Sequence, residues 1–227
     1  MLSSVAIIPS TPVLVPELVG AAAGEFEPLR AAVLAAAATL PPRWLAVGVG
    51  ETAVYRPERR GTFAGYGADV TAALGPGDPA AVTELPLCAL ITGWVRARVA
   101  PGGRAEVRCW PAGTPDADAR AAGAALRAEL DDDPEPVGVL IVADGLSTLT
   151  PSAPGGHLPE SVADQGRLDA ALAAGDAAAL AGLPEAVVGR AGFAVLAGLV
   201  GPGPHPAREY YRGAPLGVGY FVGTWRP

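Results

Sequence analysis

The run from Val137 to Ala143 is apolar throughout and rich in β-branched residues, the composition of a strand covered on both faces. Such a strand commits the chain to an α/β architecture, because helices packed on the two sides of a sheet are what cover it. Asp144 follows at once and opens a Pro/Gly-rich loop that extends to His157. Sheets of this class place their ligands at that end of their strands, so the loop is the first candidate for a site wall.

Short apolar runs alternate with alanine-rich amphipathic stretches along the rest of the chain. Strands are predicted at Val5–Ile8, Trp44–Val49, Ala105–Trp110, Val137–Ala143 and Gly217–Val222. Helices are predicted at Glu25–Leu40, Glu84–Val99, Pro115–Leu130, Val162–Leu183 with a break near Gly175, and Pro184–Leu199. Thr114 before Pro115, with Asp116 and Asp118 in the first turn, is a helix start; Pro41 and Pro42 stop the helix ending at Leu40. The pattern predicts one α/β domain over residues 1–227, with a central mostly parallel or mixed sheet and helices on both faces. From Glu51 to Pro79 prolines and glycines replace periodicity, which reads as a long excursion from the sheet.

Several function classes fall away on composition. Net charge is −7 and no basic stripe exists, so neither a nucleic acid nor a membrane surface is an expected partner. All 16 basic residues are arginine, so a Schiff-base lysine, a pyridoxal-phosphate anchor and a Walker-type phosphate loop are excluded. Cys88 and Cys109 stand far apart with no C-x-x-C spacing, and are expected to be buried thiols rather than a zinc site or redox couple. The amino terminus lacks a basic n-region and meets Pro9 early, and no apolar stretch is of spanning length, so a cytoplasmic location is expected.

Gly48–Ala53 fits G-x-G-x-x-A, but Tyr55, Pro57 and Gly61 break the helix that a dinucleotide site needs, leaving a glycine-rich turn. A serine hydrolase built on Ser147, Asp144 and His157 or His205 lacks the second glycine of a nucleophile elbow, and Ser147 is better read as a turn residue. Asp131–Asp133 is a solvated turn at a helix end. Glu51 differs, since it lies just beyond a strand and can face the crevice.

Four segments together resemble the class III extradiol ring-cleavage dioxygenases, in their B-type catalytic polypeptide, and the related Memo-like proteins. Pro9–Pro16 resembles the family's P-H-P-P-x-L-x-P loop, and Val47–Glu51 lies where the family has a strand ending in G-P-S-H. Asp144–Gly156, followed by Leu168, Asp169, Gly175 and Asp176, resembles its D-x-S-H-R-L-x-x-x-A-P-G loop and the helices after it. Gly189 and Arg190 match the Memo-like C-G-R segment, and Ala214–Val222 resembles the closing strand A-P-Y-G-V-G-Y. The likeness runs from Pro9 to Val222 and implies a B-type extradiol dioxygenase-like domain with a metal pocket at one end. In active members, Fe(II) on two histidines and a carboxylate chelates a catechol and leaves a position for O₂, while another histidine assists proton transfer.

This chain departs from that pattern at each histidine. Ser10 replaces the first metal ligand, Glu51 (or Gly50 in a register one residue earlier) the second, and Thr148 the histidine of the D-x-S-H loop. Val188, Gly189, Arg190 and Ala191 occupy the third-ligand region. A serine hydroxyl and a valine do not replace two neutral imidazoles, so no cofactor is expected. The resulting expectation is an extradiol dioxygenase-like pseudoenzyme that binds a small molecule or a partner in a pocket of Ser10, Thr11, Glu51, Asp144, Ser147, Thr148, His157 and Arg190. Arg190 would pair with a ligand carboxylate, or structurally with Asp144 or Glu185. The alternative is a metal-dependent dioxygenase with Fe(II) or another divalent metal on relocated ligands, His157, His205 and Glu51. A third class, a structural or interaction protein, would use the apolar closing strand as the seam of a homodimer.

Overall fold

Side-chain alternation along the strands divides the interior into two cores, one on each face of a seven-stranded sheet. The structure is a computed structural model describing residues 1–77 and 81–227. Its strands are β1 (Leu2–Ile8), β2 (Arg43–Val49), β3 (Ala53–Tyr55), β6 (Arg104–Trp110), β7 (Val137–Val142), β8 (Ala207–Gly213) and β9 (Tyr220–Trp225), in the order β3-β6-β2-β7-β1-β9-β8. β6, β2, β7 and β1 are mutually parallel; β3 runs antiparallel to β6 at one edge, and at the other β9 runs antiparallel to β1 and β8 antiparallel to β9. The result is a single α/β domain with a mixed sheet. All six residues of β7 are buried, as its position between β2 and β1 requires.

Helices α2 (Glu27–Ala37) and α3 (Leu87–Val99) cover one face, meeting Ala6, Ile8, Trp44, Ala46, Leu140 and Val142. Helices α4 (Asp116–Asp131), α5 (Ser161–Ala174) and α6 (Arg190–Val200) cover the other, over Val5, Ile7, Leu45, Val47, Val139 and Ile141. Glycines permit the tightest approach: a Cβ on Gly123 of α4 would lie 2.1 Å from the Val195 carbonyl, and one on Gly198 of α6 would lie 2.0 Å from that of Arg120. A single turn, α1 (Pro16–Val19), follows the loop after β1.

The observed elements correct the expected ones in several places. The closing strand begins at Tyr220 rather than Gly217, because Gly217 takes a left-handed φ of 73° in a turn. The helix expected from Pro184 starts only at Arg190. The sequence pattern does not reveal β8, a polar edge strand with no fully buried residue. The excursion after Glu51 contains β3 and a separate hairpin, β4 (Arg60–Thr62) with β5 (Thr71–Ala73); Asp78 and Pro79 at its end lie outside the described residues. Cys88 and Cys109, expected as distant buried thiols, are buried but adjacent, with Sγ atoms 3.5 Å apart. Among the described residues no helix is long and apolar enough to cross a membrane.

Candidate functional site

β1 and β7 are parallel neighbours whose chains part at their carboxyl ends. After β1 the chain proceeds to α2 on one face, and after β7 to α5 on the other. Such a divergence leaves a crevice between the two loops. The loop after β1 supplies Ser10, Thr11, Pro12 and Val13; the loop after β7 supplies Asp144, Ser152 and Pro154. Pro215, Leu216, Val218 and Tyr220, from the turn into β9 and its first residue, close a cleft of about 580 Å³.

Among the described residues Asp144 is the only ionisable carboxyl in this wall, and no arginine or histidine joins it. Its Oδ1 accepts a 2.8 Å hydrogen bond from the Ser10 backbone N–H, linking the two loops. Burial raises its pKa from 3.8 to about 7, because one amide donor does not compensate the carboxylate for lost water. Beside it, the hydroxyls of Thr11 and Tyr220 lie 3.0 Å apart in a buried hydrogen bond. Burial pushes the Tyr220 phenol up to about 12, with the Asp144 charge adding to the shift.

The backbone around Asp144 is held on several sides. Its carbonyl accepts from Gly189 N–H at 2.8 Å, the Gly145 carbonyl accepts from Val188 N–H, and Gly145 N–H donates to Gly219. Gly219 N–H donates in turn to Leu146, while the buried Leu146 N–H donates to Gln165 Oε1 at 2.9 Å. Gln165 then donates through Nε2 to Asp169 at 2.8 Å. A Cβ on Gly145 or Gly219 would come within 2.2 Å of the Gln165 amide, so glycine at both positions is what lets the brace fit.

Of the expected pocket residues, the cleft gathers Ser10, Thr11 and Asp144. The others are placed elsewhere. Thr148 is buried and donates its hydroxyl hydrogen to Ser161 at 2.7 Å, serving as a pin between loop and α5. Ser147 packs against Gly155, whose N–H donates to the Ser147 carbonyl. Glu51 is exposed beyond β2, and His157 is exposed on the far part of its loop. Arg190 sends its guanidinium to the Ala112 carbonyl at 3.4 Å and, among the described residues, forms no ion pair with Asp144 or Glu185. His157 does not close the cleft; Ser152 and Pro154 of the same loop do.

His205 lies at the other end of the sheet. Its backbone N–H donates to Gly175, just past the end of α5, and its ring stacks on Trp225 with centroids 5.9 Å apart. Trp225 pairs with Val5, whereas Tyr220 lies at the opposite end of the same strand. The relocated ligand set of His157, His205 and Glu51 is therefore not assembled, and no group of three or more potential metal ligands occurs among the described residues. One carboxyl and the four hydroxyls of Ser10, Thr11, Ser152 and Tyr220 do not make the donor set of a 2-His-1-carboxylate iron site.

Sequence reasoning did not find Tyr220 or the Pro/Leu/Val wall. Tyr220 carried a usable signal: it is an amphipathic side chain where an apolar strand meets a Gly/Pro turn.

No protein-family description and no curated protein matches the chain. Among solved structures, the crystal structure of the uncharacterized protein JW3007 from Escherichia coli K12 is similar, with a TM-score of 0.57 at 11% sequence identity, over 99% of this chain and 100% of that one. At that identity the similarity establishes the shared fold.

Proposed function

We propose that this chain is an extradiol dioxygenase-like protein that has lost the iron-binding histidines and uses the remaining crevice to bind a small molecule. The observation that carries this reading is the cleft at the end of β1 and β7. Two of the segments that resemble the family, Pro9–Pro16 and the Asp144 loop, meet there with the beginning of the closing strand, and Ser10 stands at a metal-histidine position. The donors left in the cleft suit hydrogen bonding rather than oxygen activation. Asp144, with its pKa near 7, both donates and accepts at neutral pH, and the Thr11–Tyr220 hydroxyl pair lies beside it.

The walls of Pro12, Val13, Pro154, Pro215, Leu216 and Val218 would enclose an apolar body, with its polar edge turned to Asp144. A neutral hydroxylated compound fits this chemistry, whereas a carboxylated ligand would meet Asp144 with no cation to offset it. The competing reading, a metal-dependent dioxygenase with relocated ligands, draws no support from the opposite placement of His157 and His205.

The test combines metal analysis with ligand screening. Protein purified without chelator should carry substoichiometric iron and zinc and leave catechols uncleaved. A thermal-shift panel of neutral hydroxylated aromatics and polyols should yield binders whose affinity falls about 5-fold to 10-fold in Tyr220→Phe, the loss of one hydrogen bond. Stoichiometric iron together with catechol turnover would overturn the proposal.

A further inference from the structure

The two thiols lie outside the cleft, at the junction of α3, β2 and β6. Cys88 is in the first turn of α3 and Cys109 is near the end of β6, 21 residues apart in sequence, with Sγ atoms 3.5 Å from each other. Gly48 makes the approach possible. It pairs with Cys109 in the β2–β6 register, and a Cβ there would lie 2.5 Å from the Cys88 Sγ. The Cys88 thiol also lies 3.8 Å from the Val49 carbonyl.

Both thiols are buried, close to a chain segment that reaches the surface. Gly50, whose added Cβ would be 3.6 Å from Cys109, is followed by exposed Glu51 and Thr52. The hydrogen bond between the two sulfurs holds the Cys109 thiol below its ordinary value, while the same bond and burial push Cys88 well up. The pair is asymmetric in place as well: Cys109, and not Cys88, neighbours the half-buried Gly50, as a reacting sulfur rather than a resolving one would.

We propose that Cys88 and Cys109 form an oxidation site, at which a hydroperoxide converts the two thiols to an intramolecular disulfide. The Cys109 thiolate attacks the near oxygen of hydrogen peroxide; the O–O bond breaks, and the departing hydroxide takes up the thiol's proton to become water. Cys109 is left as a sulfenic acid. The Cys88 sulfur then attacks the Cys109 sulfur, forming the S–S bond and breaking the S–O bond, and the hydroxyl leaves as a second water with the Cys88 proton. Two thiols and one peroxide give one disulfide and two waters. The bond fastens the start of α3 to β6 and closes the intervening chain, including α3 itself and the turn after it, into a covalent loop.

The experiment treats the full-length native protein with hydrogen peroxide at neutral pH, then denatures and alkylates it with iodoacetamide for intact mass and tryptic mapping. The expected product is a monomer lighter by two hydrogens, unalkylated, with a cross-linked peptide pair, reversed by dithiothreitol, and melting about 5 °C higher than the reduced protein. Cys88→Ala should stop at a Cys109 sulfenic acid, captured by dimedone. Full alkylation of both cysteines after peroxide, over-oxidation of one of them without cross-linking, or an intermolecular dimer as the sole product would overturn the proposal. Dimedone labelling of Cys88 in Cys109→Ala, with none on Cys109 in Cys88→Ala, would overturn the assigned order.

Discussion

The two ends of the sheet treat their charges in opposite ways. At the amino ends of the parallel strands, carboxylates and guanidinia interlock in water: Arg43 pairs with Asp133 and, at 3.1 Å, with Glu135, which Arg104 meets at 2.9 Å. A groove of about 220 Å³ there is lined by Arg43, Arg104, Glu106, Arg108, Glu129 and Asp133. At the carboxyl ends, Asp144 has, among the described residues, a single amide donor and no cation, and its pKa rises to about 7. A carboxyl that serves the fold is paired and solvated. One held unpaired in a cleft works against the fold when ionised, and is what a ligand-facing group looks like.

The largest way to break this contrast is to neutralise Asp144. Its folded-state pKa lies above the unfolded value of 3.8, so the carboxyl's stabilising contribution is complete below pH 3.8 and is lost as pH rises through about 7. Asp144→Asn keeps an oxygen for the Ser10 amide and removes the charge. It is expected to exceed the native chain in stability by about 3 kcal/mol near pH 9, with the gap closing below about pH 4, in urea denaturation across the pH range. A gap that does not change with pH would place the carboxyl in water-like surroundings and end the contrast.

Next in size is the brace beneath the cleft. Gln165→Leu leaves the buried Leu146 N–H without its acceptor and is expected to lower stability by about 2 kcal/mol. Amide exchange at Leu146 should rise more than exchange in β7; uniform acceleration would mean that the brace supports the whole domain rather than the site. The smallest effect belongs to the other end. Glu135→Gln removes contacts to two arginines but acts on an exposed side chain, and should change stability by under about 0.5 kcal/mol, with no difference in about 1 M salt. A larger loss would show that the paired end carries more of the fold than its exposure implies.

The legible part of the fold was the part governed by local pattern. Each parallel strand and its following helix was visible because an apolar run gives way to an alanine-rich amphipathic stretch, as from Val137–Val142 to Ser161–Ala174. By contrast, β8 was hidden because an edge strand with partly exposed faces shows no apolar alternation. In the site, Ser10, Thr11 and Asp144 were readable since they directly follow strand ends. Thr148 and Arg190 were misplaced because sequence position does not tell which way a loop side chain turns. Thr148 turned to Ser161, and Arg190 turned toward Ala112.

The order of residues alone determined that β7 would be buried on both faces, that lysine chemistry is absent and that histidine occurs only at 157 and 205. These follow from composition and from the two-residue period of a strand. Tertiary structure decided which distant groups meet: Asp144 with the Ser10 amide, Thr11 with Tyr220, Cys88 with Cys109, and His205 with Trp225 far from His157. Those meetings depend on strand order and on the face to which each crossover runs, a collective outcome of packing two cores against one sheet that no local window of sequence contains.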